Sequence, residues 1–83
     1  MPVISAQIAL YPLRTAHLGP AIDAFADVLR NAGLRVEPGP MSTLVVGEAD
    51  ALFAALQSGF EAASAEAEVV MQVTVSNACP CEM

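Results

Sequence analysis

The stretch "VEPGPMSTLVV" (36–46) decides how the chain is organised. Val36 on one side and Leu44, Val45 and Val46 on the other favour extended backbone, whereas Pro38, Gly39 and Pro40 between them favour a turn or bulge. Two strands are therefore predicted in mid-chain, Leu34–Pro38 and Met41–Val46, joined by "EPGP" (37–40).

Outward from this centre the hydrophobic period changes from two to about 3.6 on both sides. On the N-terminal side Pro20 suits the first turn of a helix, and Ile22, Phe25, Ala26, Leu29 and Ala32 follow at helical spacing, with Asp23, Asp27, Arg30 and Asn31 on other faces. Gly33 is placed to end that helix as a left-handed cap. On the C-terminal side Asp50 can cap a second helix, whose apolar stripe is read as Leu52, Phe53, Leu56, Phe60 and Ala63. All three phenylalanines, Phe25, Phe53 and Phe60, fall on these stripes and are read as core.

The outermost segments alternate. Ile4, Ala6, Ile8 and Leu10 oppose Ser5, Gln7, Ala9 and Tyr11, until "YPLRTAHLGP" (11–20) breaks the pattern. Near the other end, Val69, Met71, Val73 and Val75 oppose Val70, Gln72, Thr74 and Ser76. The order is βαββαβ. Two crossovers of this kind predict an α+β, ferredoxin-like sandwich: a four-stranded antiparallel sheet in order 4-1-3-2, with both helices on one face. The other face is left open and carries Ser5, Gln7, Ala9, Tyr11, Gln72, Thr74 and Ser76. Thr43 joins them if Leu44 and Val46 point to the helices.

At 83 residues the chain reads as a single domain, 1–83, with 78–83 as a flexible tail. A domain of this size buries only about 60% of its unfolded surface. The apolar content of 55% therefore suggests an oligomer interface as well as a core. Nine acidic residues face three arginines, Arg14, Arg30 and Arg35, and no lysine, for a formal charge of -6. Such a chain repels the phosphate backbone of nucleic acid, whose affinity comes from counterion release to Lys and Arg. Its charge keeps an apolar protein soluble and mildly attracts small cations. No run approaches the ~18 apolar residues of a membrane span. No basic residue precedes "MPVISAQIALYPL" (1–13), as it would in a signal peptide, so a cytoplasmic protein is expected.

Conventional catalytic groups are sparse. His17 precedes a helix without an evident partner and reads as a surface or loop residue, and neither Ser42 nor Ser76 sits in a nucleophile-activating pattern. There is no Gly-rich phosphate loop. Cys79 and Cys81 are too close for an unstrained disulfide. They offer a soft metal two thiolates, short of the usual four ligands, so the tail thiols are read as idle and no metal or cofactor is assigned. The open face offers amides and hydroxyls, which suit a neutral heteroaromatic ring because one amide both donates and accepts. Tyr11 or Met41 could cover the ring. A half-buried sheet shows such residues on its outer face in any case.

"ISAQIALYPL" (4–13), "GLRVEPGPMSTLVVGE" (33–48) and "VVMQVTVSNACP" (69–80), in this order, resemble the YkoF-like thiamine and hydroxymethylpyrimidine-binding proteins. The resemblance implies a ferredoxin-like domain that associates through its sheet as a homodimer or homotetramer. It implies binding of thiamine or its pyrimidine precursor without a reaction, as carrier or sensor. It points to Gln7, Tyr11, Met41, Ser42, Thr43, Ser76 and Asn77 as ligand-binding residues. Two other functions remain open: an oligomerisation module without ligand, and a thiol metal carrier using Cys79 and Cys81.

Overall fold

The structure is a computed structural model that describes residues 2–16, 18–39 and 42–78. Its elements are β1 (Val3–Leu13), α1 (Gly19–Asn31), β2 (Arg35–Pro38), β3 (Thr43–Glu48), α2 (Ala49–Ser64) and β4 (Glu68–Ser76). The strands form one sheet in the order β2-β3-β1-β4, every neighbouring pair antiparallel. This is the ferredoxin-like arrangement that the alternating periods predict. Among the described residues no helix is long and apolar enough to cross a membrane.

The core lies between one face of the sheet and both helices. Ile4, Ala6 and Ile8 of β1 and Val45 of β3 meet Ala21, Phe25 and Leu29 of α1 and Leu52, Ala55, Leu56 and Ala63 of α2. The alternation in β1 is what delivers three apolar side chains to the same side. As anticipated, Pro20 lies in the first turn of α1, where its missing N–H costs no helical bond. Gly33 follows that helix at φ 80°, a conformation that a Cβ disfavours.

Two expectations about α2 are corrected. Asp50 does not cap it: the helix starts after Glu48, with no side-chain capping bond. The N–H of Ala49 instead donates to the carbonyl of Pro2 at 3.0 Å. The chain just before β1 thus satisfies one of the orphan donors that a cap would otherwise serve, and Asp50 sits inside the first turn, where its charge still complements the helix dipole.

Nor are Phe53 and Phe60 core residues, for they are 53% and 37% exposed. The buried stripe of α2 is Leu52, Ala55, Leu56, Gly59 and Ala63. Small residues in it let α1 come close: a Cβ on Gly59 would lie 2.8 Å from Cδ1 of Phe25. Phe25 fills the space that Gly59 leaves. Phe53 and Phe60 each follow a buried position by one residue, a rotation of roughly 100° that turns them from the interface.

Candidate functional site

Register determines which side chains share a face. Paired residues in an antiparallel ladder point the same way, and β3 pairs Gln7 with Leu44 and Ile8 with Thr43. Since Ile8 is in the core, Thr43 faces the helices, and Leu44 and Val46 take the open face. The placement of Thr43 on the open face required the opposite phase. On the other side β4 pairs Gln7 with Thr74, Ala9 with Gln72 and Tyr11 with Val70, all on the open face.

The ladders also differ in length. β3 accompanies β1 only from Val3 to Ile8, whereas β4 accompanies it from Ser5 to Leu13. Among the described residues β1 therefore has a strand on one side only from Ala9 onward. Two depressions of about 210 Å³ each open beside this step, on opposite sides of the sheet, and both are bordered by Ala9 and Ser42.

The first lies on the open face and is lined by Gln7, Ala9, Ser42, Gln72 and Thr74. Ala9 opens it, because a short side chain stands between Gln7 and Tyr11. The Nε2 of Gln7 donates to Oγ of Ser42 at 3.1 Å, which ties β1 to the turn before β3. That turn closes through the N–H of Gly39 donating to the carbonyl of Ser42 at 2.8 Å. A Cβ on Gly39 would stand 2.9 Å from that oxygen, so the close approach that aims Ser42 at Gln7 needs glycine.

The second lies beneath α1. Its walls are Ile8 and Leu10 of β1 and Ile22, Phe25, Ala26 and Leu29 of α1, with Gly39, Ser42 and Thr43 completing it. Among the described residues no charged side chain lines either depression. Each arginine is engaged elsewhere: Arg14 with Glu68, Arg30 with Asp27 at 3.5 Å, and Arg35 with Glu37 at 2.7 Å. Amides, hydroxyls and hydrocarbon are thus the chemistry on offer, which suits hydrogen bonding and stacking of an uncharged ring more than proton transfer or phosphate capture.

Of the residues singled out in the sequence, Gln7 and Ser42 come together in the open-face depression and Thr43 lines the one under α1. Tyr11 is on the open face, 49% exposed, two pairs along the ladder from Ala9–Gln72. Ser76 pairs with Ser5, towards the opposite end of β1, and its Oγ accepts the N–H of Ala78 at 3.1 Å. Asn77 is exposed beyond that strand end. Neither lines either of these two depressions. Met41 lies outside the described residues, as do His17, Cys79 and Cys81. Among the described residues no three His, Cys, Asp or Glu side chains form a metal-binding group.

Sequence reasoning placed Gln72 and Thr74 on the open face without choosing them. Their pairing with Ala9 and Gln7 is the signal that selects them, and it requires the register of two strands about sixty residues apart, for which local pattern holds no information. Phe25 is core, as its stripe predicts, and also walls the depression, whereas Ile22 on the same stripe is 42% exposed at the rim, because a cavity wall has the same periodicity as a core stripe.

A family model described as thiamine-binding protein matches residues 6–78. Solved structures with the same fold include a hypothetical protein from Methanocaldococcus jannascii, 20% identical, with a TM-score of 0.85 over 99% of this chain and 87% of the other. A protein from Streptococcus pneumoniae is 25% identical at a TM-score of 0.81, covering 89% and 84%. A protein from Thermotoga maritima, provisionally assigned to thiamine biosynthesis or salvage, is 22% identical at 0.79, covering 89% and 82%. No curated protein matches the sequence.

Proposed function

We propose that this chain, which belongs to the thiamine-binding protein family, binds thiamine or its hydroxymethylpyrimidine precursor without transforming it, as a carrier or sensor. The observation that carries the reading is the convergence of Gln7, Ser42, Gln72 and Thr74 from three parts of the chain on one depression. These groups hydrogen-bond but do not titrate near neutrality, so they recognise a ligand without moving its protons. The acidic chain complements a cationic ligand, and the absence of a free arginine disfavours a diphosphate.

Calorimetry and thermal unfolding with thiamine, hydroxymethylpyrimidine and thiamine diphosphate test this. A ligand at about a hundred times its dissociation constant stabilises the native state by ~2.7 kcal/mol. For a domain of this size that raises the midpoint by roughly 4 to 8 °C per kcal/mol. The diphosphate should bind most weakly. No binding of any of the three at millimolar concentration would remove the reading and leave the oligomerisation module in its place.

The open face also exposes Tyr11, Leu13, Leu44 and Val70 at 40 to 49%. On a chain of 83 residues, that apolar area supports a second copy of the chain as its cover, giving a homodimer or homotetramer through the sheet. Light scattering at micromolar concentration should show at least a dimer, with a melting temperature that rises with protein concentration. A monomer whose midpoint ignores concentration contradicts it.

A further inference from the structure

We infer that the outer edge of β4 and the neighbouring flank of α2 form a second docking surface, which receives the same surface of another copy of the chain. β4 pairs antiparallel with its counterpart, and the two α2 helices meet beside the joined sheet. This interface is separate from the open face and does not depend on the ligand.

The two edges of the sheet are built differently. β2 is four residues long, ends in Pro38 and carries the Arg35–Glu37 ion pair, features that keep an edge from recruiting another strand. β4 has nine residues, no proline, no basic residue and a single charge, Glu68, at its start. Among the described residues no strand lies on its outer side, so its outward N–H and C=O groups are open to a new one.

Helix packing adds to this asymmetry. α1 packs on β2 and α2 on β4, so the flank of α2 that faces away from α1 overhangs the β4 edge. Gly59 marks the opposite side, against Phe25 of α1. At roughly 100° per residue, Phe60 and Phe53 come round past the buried Leu56 and Ala63, which places both on the outer flank. Beneath them the helix-facing side of β4 is incompletely covered. Val69, Met71 and Val73 are half-buried, and Val75, opposite Ala6, is 41% exposed. An apolar strip therefore runs along an open strand edge.

A strand alone would pair with this edge and leave the phenylalanines bare. A second copy covers both, because a two-fold axis through the middle of β4 keeps the two helix layers on one side of the joined sheet. Gln72 is the middle residue of β4, and about it the strand complements itself. On the helix side Val69 meets Val75 and Met71 meets Val73, while Glu68 lies opposite Ser76 instead of the other Glu68. Phe53 stands as far from the start of α2 as Phe60 does from its end, so the same axis turns Phe53 of one copy toward Phe60 of the other.

Amide hydrogen exchange, read by nuclear magnetic resonance, tests the pairing. In an edge strand every second amide points away from the sheet and exchanges freely, and pairing protects it. The outward amides of β4 should be protected in the wild type at millimolar concentration. Phe60→Lys should raise the concentration needed for that protection at least tenfold, although it reduces the acidic excess and with it the repulsion between copies. Leu44→Lys, on the open face, should leave it unchanged, which separates edge pairing from stacking of open faces. Both phenylalanines are surface residues of the single chain, so unfolding measured on dilute protein stays close to the wild type. Protected amides between β1 and β3 report that each variant folds. If the outward amides exchange freely at millimolar concentration, if Phe60→Lys leaves their protection in place, or if Leu44→Lys abolishes it, the edge pairing is overturned, whether or not the chain binds a ligand.

Discussion

β1 is one strand with two different halves. From Ile4 to Ile8 it is flanked by β3 and β4, and its inward side chains Ile4, Ala6 and Ile8 are 5%, 1% and 2% exposed. From Ala9 to Leu13 it pairs, among the described residues, only with β4, no residue is fully buried, and both depressions open beside it. The alternation of the first half runs on through Ala9, Leu10 and Tyr11 before Pro12 ends it, so it does not mark the point at which the flanking changes. What differs is the neighbouring strand. Where the sheet is complete, alternation builds a core; where β3 stops short, the same alternation leaves backbone edge and unfilled space, which a ligand can occupy.

Substitutions that strike one half at a time test this division, and the largest effect belongs to the flanked half. Ile4→Ala should destabilise the fold by about 2 to 5 kcal/mol, because the loss of transfer free energy is compounded by a cavity in a rigid surrounding. Denaturant unfolding measures it, and ligand affinity of the folded fraction should be unchanged. A cost below about 1 kcal/mol would mean that the flanked half is no better packed than the open one.

Next come changes at the step itself. Gln7→Leu and Thr43→Val should each weaken ligand binding by ~1 to 3 kcal/mol, since a buried polar atom of the ligand loses its partner. Thr43 lines the depression under α1 and Gln7 the one on the open face, so the two substitutions probe the depressions separately. Calorimetry with both compounds separates the two sides of the sheet. Equal losses for both compounds from both substitutions would merge the two depressions into one site.

Phe53→Gln should change stability by less than about 0.5 kcal/mol, as expected for an exposed helix position that keeps a good helix former. A core phenylalanine would cost several times more, so the unfolding midpoint checks the corrected stripe of α2 directly. The smallest expected effect is that of Asn77→Leu. Asn77 follows Ser76, whose partner Ser5 is four residues from Ala9 along β1, roughly 13 Å. Affinity should stay within about twofold, less than 0.5 kcal/mol. A tenfold loss would show that a second chain brings its strand end to the site.

The candidate site was legible in the sequence where alternation is strict and obscure where it is not. Gln7 alternates with Ala6 and Ile8, which leaves no doubt about its face. Thr43 precedes Leu44, Val45 and Val46, three apolar residues in a row, so a period of two exists there but its phase is not written in the residues. Pairing with β1 sets that phase. It sends Val45 into the core opposite Ala6 and turns Thr43 inward with Ile8. Likewise α2 has enough apolar residues for more than one plausible stripe. A volume-based reading chooses Phe53 and Phe60, while the approach of α1 chooses Ala55, Gly59 and Ala63, where small side chains let two backbones come together.

By itself the sequence determined the βαββαβ order, the ferredoxin-like sheet, the inward faces of β1 and β4 and the acidic, lysine-free surface, because each follows from local periodicity, turn chemistry or composition. Only the tertiary structure decided the face of Thr43, the exposure of Phe53 and Phe60, the capping of α2 by Pro2 and the step at Ala9 where two depressions meet. These depend on which residue of one segment lies opposite which residue of another, and on how closely two helices approach. Such relations arise from packing between parts distant in the chain, and short-range patterns of hydrophobicity do not encode them.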